Sequence, residues 1–102
     1  MNGETALRAL AEPRRQQVLR LVRDEPRSVG EIAAHFDITQ QAVSQHLQVL
    51  KDAGLVTVRK EGQRRLYVVR PDGLTMLHDF LSGLWPSALA RLKSAVEADG
   101  GR

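Results

Sequence analysis

The sequence predicts a mainly α fold with about five helices and a small two-stranded β-hairpin. Three features support this fold class. Apolar residues recur at helical spacing over most of the chain, residues 28–53 contain two helix-start signals, and residues 55–70 alternate between apolar and polar side chains. The 102 residues form one continuous pattern, so we expect a single domain over residues 1–102. A core of this size is thin, and self-association would add burial.

The first two helices are expected over residues 4–10 and from Pro13 to about Asp24. Pro13 fits the first turn of a helix, where its missing N–H has no helical partner to lose. The helix should end at residues 25–27, which include a proline. Its buried side should hold three apolar residues: Val18, Leu19 and Val22.

Residues 28–53 predict two short helices joined by a tight turn. Ser28 and Glu31 have the spacing of a capping box, in which each side chain accepts a hydrogen bond from the other residue's backbone N–H. Thr39 can cap the next helix in the same way. The second helix then places one apolar stripe at positions i, i+4 and i+7: Val43, Leu47 and Leu50. This arrangement is typical of a helix-turn-helix.

The second of these helices, residues 39–53, carries an uncharged polar face. Amide and hydroxyl groups can hydrogen-bond to base edges in the major groove, and glutamine can pair with adenine through two hydrogen bonds. For His46, packing against the domain or a phosphate contact are the alternatives. The residues expected to contact DNA from this helix are Thr39, Gln40, Gln41, Ser44, Gln45, His46 and Gln48.

Residues 55–70 predict a β-hairpin with a cationic surface. Gly54 stands where a helix end favours a left-handed residue. Strands are expected over residues 55–60 and 64–70, with the turn at 61–63. Five basic residues lie between positions 59 and 70 against one acid, Glu61. Such a hairpin either binds phosphate or protects a sheet edge with charge. The hairpin residues expected to contact DNA are Lys60, Arg64 and Arg65, and the two arginines are expected to hold phosphate or the minor groove.

The run QQAVSQHLQVLKDAGLVTVRKEGQRRLYVV, residues 40–69, resembles the winged helix-turn-helix of the ArsR/SmtB transcriptional regulators. In that family the pattern V-S-x-H-L-x-x-L precedes A-G-L-V and a basic β-hairpin. The upstream AEPRRQQVLRLV is similar to the family's second helix, and the resemblance extends over about residues 5–98. It implies a DNA-binding repressor that dimerises through its first and last helices.

A last helical region is expected over residues 73–97, with leucines spaced by three and four residues. This seam either packs on its own domain or forms the dimer interface that the resemblance implies. Pro86 should kink or split the helix. Phe80 and Trp85 could line an apolar pocket or belong to the core. The expected dimer interface comprises Leu7, Leu77, Leu81, Leu84 and Leu92.

No metal or other cofactor is expected. The chain has no cysteine, and its three histidines, His35, His46 and His78, lie on three different predicted helices. Metal-sensing members of the family carry cysteines before the recognition helix, or Asp-x-His with a later histidine on the last helix. The chain therefore resembles a variant that lacks the cysteine metal site, and its inducer is unknown.

The remaining features exclude several functional classes. The chain shows neither a signal peptide nor an apolar run near the roughly 20 residues of a membrane span, so we expect a cytoplasmic protein. Ser44 and His46 lack a third group that would make them a catalytic pair, so no enzyme is expected. Two interpretations stay open: a homodimeric repressor that binds an inverted-repeat operator, and a winged-helix module that binds other proteins.

Overall fold

The computed structural model describes residues 2–84 and confirms the predicted fold class, with five helices and a two-stranded antiparallel hairpin in this part of the chain. The predicted continuation of the last helix to residue 97, including Pro86 and Leu92, lies outside the described residues, as does Trp85. The elements in chain order are α1 (Gly3–Ala9), α2 (Pro13–Asp24), α3 (Val29–Ala33), α4 (Gln40–Asp52), β1 (Val56–Glu61), β2 (Arg64–Val69) and α5 (Pro71–Leu84).

Side-chain caps begin α3 and α4 at the predicted residues. The Glu31 amide donates to the Ser28 hydroxyl at 3.2 Å, and the Ser28 amide donates to the Glu31 carboxylate at 2.9 Å. The Thr39 hydroxyl accepts a hydrogen bond from the Ala42 amide at 3.0 Å. Both caps satisfy backbone donors that a helix leaves unpaired, so they fix where the two helices of the helix-turn-helix start.

The core lies between the helices and the base of the hairpin. The predicted stripe of α4 is fully buried, and Val18 and Val22 of α2 are buried beside it. Leu19 differs from the prediction because it is only half-buried, since it lies about 100° around the helix from Val18. The largest fully buried side chains are Ile32, Leu47, Leu50, Leu55, Val18, Val43 and Val56.

The hairpin pairs residues 56–61 with residues 64–69, and its turn contains Gly62 in a left-handed conformation (φ 62°). A short bridge joins it to the segment before α3. The Arg27 amide donates to the Tyr67 carbonyl at 3.2 Å, and the Tyr67 amide donates to the Arg27 carbonyl at 2.7 Å. This bridge attaches β2 to the helix-turn-helix and so fixes the position of the hairpin relative to α3.

The two terminal helices of the described part, α1 and α5, pack against each other. Gly54 ends α4 with a φ of 80°, as predicted for a left-handed residue at this position. His35 lies in the turn that follows α3, not on a helix as predicted, because α3 ends at Ala33. In residues 2–84, no helix has the length and apolarity needed to cross a membrane.

Candidate nucleic-acid interface

The exposed face of α4 is polar and carries almost no charge. Because the apolar stripe of α4 points into the core, the opposite side of the helix must face solvent. Six of the residues predicted to contact DNA are exposed on this side or at its N-terminus: Thr39, Gln40, Gln41, Ser44, Gln45 and Gln48. The face thus offers amide and hydroxyl groups to a partner, with no charge to dominate the interaction.

The side chains of this face differ in whether they already form hydrogen bonds within the described part of the protein. Gln48 donates a hydrogen bond to Asp52 at 2.8 Å, one turn further along the helix. Gln41, Ser44 and Gln45 make no side-chain hydrogen bond within residues 2–84, although all three are exposed. They can therefore meet an incoming hydrogen-bonding partner without first breaking a contact within this part of the protein.

His46 lies on the buried half of α4 and faces the start of α2. Its side chain is only 19% exposed, and its Nδ1 atom is 3.9 Å from a carboxylate oxygen of Glu12. The same carboxylate accepts a hydrogen bond from the Arg15 amide and thereby caps α2. This position favours packing, the first of the two roles considered for His46, and we leave the residue out of the proposed DNA-binding face.

The hairpin register divides its charged side chains between two faces. Residues directly opposite each other in an antiparallel pair project to the same side. Lys60 lies opposite Arg65, so two cations share one face. Neither has an acidic partner among the residues that the structure describes. We call the hairpin, residues 56–69, the wing; this face of it is therefore cationic.

The other face of the wing is largely neutralised. Glu61 lies opposite Arg64 and forms an ion pair with Arg59 at 2.9 Å. Arg64 in turn donates to the Glu31 carboxylate at 2.6 Å. Arg64 and Arg65 thus lie on opposite faces of the hairpin, although the sequence predicts the same DNA-contacting role for both. A phosphate would therefore compete with Glu31 for the Arg64 guanidinium.

Glu31 connects the wing to the start of α3. Hydrogen bonds from the Ser28 amide and hydroxyl hold the pKa of the Glu31 carboxyl below its ordinary value of 4.5, and Arg64 lowers that pKa further. Glu31 is consequently ionised at neutral pH, where it both caps α3 and binds the Arg64 guanidinium. The orientation of the wing is therefore coupled to a helix cap of the helix-turn-helix.

The leucines predicted at a dimer interface fall into two groups. Leu7 of α1 and Leu84 of α5 are 38% and 52% exposed, which is high for large apolar side chains. Leu77 and Leu81 are half-buried, and Leu77 packs against the core of its own domain. Leu92 lies outside the described residues. Only the first group leaves substantial apolar area for a partner.

Within residues 2–84, no three His, Asp or Glu side chains converge as metal ligands would. His78 approaches Asp79 at 3.5 Å on the exposed side of α5, while His46 contacts Glu12 elsewhere in the fold. That no metal controls this protein stays a prediction.

Comparisons with known proteins agree with this architecture. A family model described as a helix-turn-helix domain matches residues 10–59. The HTH-type transcriptional regulator Rv2034 of Mycobacterium tuberculosis is 37% identical over 97 residues, which are 95% of this chain and 91% of that protein. The transcriptional activator HlyU of Vibrio cholerae is 37% identical over 80% of this chain and 76% of its own length. The transcriptional repressor SdpR of Bacillus subtilis is 29% identical over 74% of this chain and 88% of its own length.

Solved structures share the fold. The crystal structure of a possible transcriptional regulator for arsenical resistance has a TM-score of 0.77 and 40% identity, covering 88% of this chain and 94% of that chain. A homodimeric winged helix-turn-helix DNA-binding domain from Mycobacterium bovis, a possible ArsR-family regulator, has a TM-score of 0.65 and 31% identity. It covers 86% of this chain and 82% of its own. The chain is thus a winged helix-turn-helix transcriptional regulator. It belongs to the ArsR/SmtB family.

Proposed function

We propose that this protein is a homodimeric repressor that binds an inverted-repeat operator. In each protomer, Gln41, Ser44 and Gln45 of α4 read base edges in the major groove. Lys60 and Arg65 on the cationic face of the wing bind the adjacent phosphates. This division follows the usual roles of the two kinds of contact: base contacts discriminate between sequences, whereas phosphate contacts position the protein and supply affinity.

One observation carries the proposal. The uncharged, hydrogen-bonding face of α4 is followed, after Ala53–Leu55, by a hairpin on which Lys60 and Arg65 lack acidic partners among the described residues. A surface that served only solubility would not need to segregate charge in this way. A protein-binding module would instead place apolar anchors on α4. Val49 is the one exposed large apolar residue of that helix, and it lines a cavity with Thr5 and Ala9 of α1.

Dimerisation is supported by the exposed leucines of the terminal helices and by the homodimeric relative from Mycobacterium bovis. Burying an exposed leucine contributes roughly 1.5–3 kcal/mol. Leu7 and Leu84 are only partly exposed in the protomer, so each of the four side chains in a dimer would contribute part of this amount. A symmetric dimer would present two α4 helices to successive major grooves, about 34–36 Å apart, which is why the expected operator is an inverted repeat.

Repression follows from occupancy of a promoter by a bound dimer. Among the relatives, SdpR is named a repressor and HlyU an activator, so the direction of regulation needs its own test. A reporter gene placed behind the selected operator should fall in expression when the protein is supplied. A rise in expression would assign the protein to the activators and leave DNA binding intact.

Selection from a random duplex pool tests DNA binding most fully. The wild-type protein should enrich an inverted repeat with half-site centres one helical turn apart, and its affinity should fall steeply with salt. Sedimentation of the same sample should show a dimer. Failure to enrich any sequence, together with salt-independent binding of another protein, would support the interaction-module interpretation instead.

A further inference from the structure

The end of α4 and the start of α5 meet without any intervening side chain. Gly73, in the first turn of α5, is buried against the backbone of Gly54. A Cβ atom at position 73 would collide with the Gly54 carbonyl oxygen and lie 2.8 Å from its carbonyl carbon. Real Cβ contacts essentially never fall below 3.0 Å. Only glycine fits this position unless one of the two backbones moves.

Backbone hydrogen bonds tie the same region together. The Leu55 amide donates to the Leu50 carbonyl of α4 at 3.0 Å, and the Arg70 amide donates to the Leu55 carbonyl at 2.9 Å. The Gly73 amide then donates to the Arg70 carbonyl at 3.1 Å. These bonds form a continuous link from the last turn of α4, through Leu55, to the first turn of α5. We call the contact between Gly54 and Gly73 the glycine junction.

A second close approach fixes α5 to α1. A Cβ atom at Gly3 would collide with the Cβ atom of Phe80, so α1 and α5 are in close contact at that point. The terminal helices of the described part therefore form one packed unit. That unit meets the segment after α4 at the glycine junction, and α1 also contacts α4 directly. Packed elements move together because protein interiors contain little free volume.

We propose that Gly73 is a positioning residue for operator recognition. Through the glycine junction it sets the placement of α4 relative to α1 and α5. In a dimer held by those helices, it thereby sets the separation of the two α4 helices. This inference rests on the proposed dimeric DNA binding. Gly73 itself is buried in the otherwise exposed or half-buried first turn of α5, and it is not among the residues proposed to touch DNA.

A small change at the junction should have a large effect on recognition. Adding a methyl group at position 73 must displace one backbone by roughly 1 Å, whereas binding constellations must be held within about 0.5 Å of their working geometry. Gly83 of the same helix provides a matched control, because a Cβ atom there would meet nothing within 4 Å among residues 2–84. Gly73→Ala and Gly83→Ala thus make the same chemical change in α5, with and without a collision.

The chain has no cysteine, so a single spin label can be placed without background. Lys51→Cys puts the label on an exposed residue in the last turn of α4. Pulsed electron spin resonance then measures the distance between the two labels of a dimer, in the absence of DNA. We expect a narrow distance distribution for the wild-type background and for Gly83→Ala, and a shifted or broadened one for Gly73→Ala.

Operator binding supplies the second measurement. Without the label, Gly73→Ala should bind the selected operator about ten-fold more weakly. An operator with one base pair more or fewer between its half-sites should restore part of this loss. Affinity for random duplex should stay within about two-fold of the wild type, because each protomer keeps its phosphate contacts. Gly83→Ala should match the wild type in both assays.

The outcomes separate this inference from the proposed function. A wild-type chain that is monomeric or binds no operator contradicts the proposed function, and the inference falls with it. A wild-type dimer that binds its operator, with Gly73→Ala unchanged in label distance, affinity and spacing preference, overturns the inference alone. Should Gly73→Ala lose its helical circular dichroism, Pro71→Gly loosens the same helix start without adding an atom. An unchanged distance distribution in that variant would equally refute the positioning role.

Discussion

The two parts of the proposed interface, α4 and the wing, differ in how far their own sequences determine the surface that they expose. On α4 the buried stripe alone decides which side chains are presented, so the composition of the helix almost determines its surface. On the wing the basic residues are numerous, but the strand register and an acid from α3 decide which cations remain unneutralised. Hydrogen-bonding surfaces can thus be inferred from local periodicity, whereas an effective positive charge depends on partners that lie far away in the chain.

The largest expected effect comes from removing the buried support of α4. Leu47→Ala should destabilise the protein by about 2–5 kcal/mol, because it leaves a cavity in a fully buried stripe. Denaturant unfolding at neutral pH measures this loss. Ser44→Ala, one turn away on the exposed face, is the matched surface change and should alter stability by less than about 0.5 kcal/mol. Equal destabilisation by both changes would mean that the stripe does not position the helix.

The second-largest expected effect is a loss of discrimination between bases. Gln45→Ala removes an amide that can pair with adenine, and should change the preference at one base pair by roughly 1–3 kcal/mol. Competition binding with single-base variants of the selected operator measures this preference. Random duplex should be bound as by the wild type. Uniform weakening on every sequence would show that Gln45 supports general affinity and does not read a base.

The two faces of the wing can be compared directly with two arginine variants. Arg65→Ala should weaken binding to all sequences and reduce the salt dependence by about one unit of slope, as expected for one lost phosphate contact. Arg64→Ala should change the slope less, because the structure pairs its guanidinium with Glu31. Affinity measured over a range of salt concentrations tests both. A larger change in slope for Arg64→Ala would reverse the assignment of the faces.

A smaller effect should appear in the pH dependence of stability. Because the folded state lowers the pKa of Glu31, its ionised form stabilises the fold above the ordinary pKa near 4.5. That contribution is lost as the pH falls from this value through the lowered pKa. Glu31→Gln should therefore be less stable than the wild type at pH 7, and the difference should shrink below about pH 4.5. Unfolding midpoints at several pH values measure it, with Glu61→Gln as a control. A difference that is constant with pH would exclude this linkage.

Contacts between residues close together in the chain could be predicted from the sequence, whereas contacts between distant residues could not. The caps at Ser28 and Thr39 and the stripe of α4 depend on spacings of three and four residues, so local reasoning placed them correctly. The pairing of Arg64 with Glu31 spans 33 residues, and the bridge from Arg27 to Tyr67 spans a similar distance. Neither contact can be recognised from the residues around it in the sequence, because each depends on how β2 packs beside α3.

His46 illustrates the same limit within a single helix. Its place as the histidine of the V-S-x-H-L pattern makes a phosphate contact one of its two expected roles, although helical geometry already turns it toward the stripe side. What could not be inferred is the Glu12 carboxylate that it faces, since Glu12 belongs to the cap of α2. The spacing of the α5 leucines is visible in the sequence, whereas the packing of Leu77 against its own core depends on the fold.

The central claim is that α4 discriminates between sequences while the wing supplies salt-dependent affinity. A double-mutant cycle tests it most directly: affinities of the wild type, Gln45→Ala, Arg65→Ala and the double variant for the selected operator and for random duplex, over a range of salt concentrations. We predict that Gln45→Ala lowers the ratio of operator to random affinity and leaves the salt slope unchanged. Arg65→Ala should lower the affinity for both duplexes and the salt slope and leave that ratio unchanged, and the two effects should add. A lower salt slope in Gln45→Ala, a lower ratio in Arg65→Ala, or strong coupling between the two would contradict this division of roles.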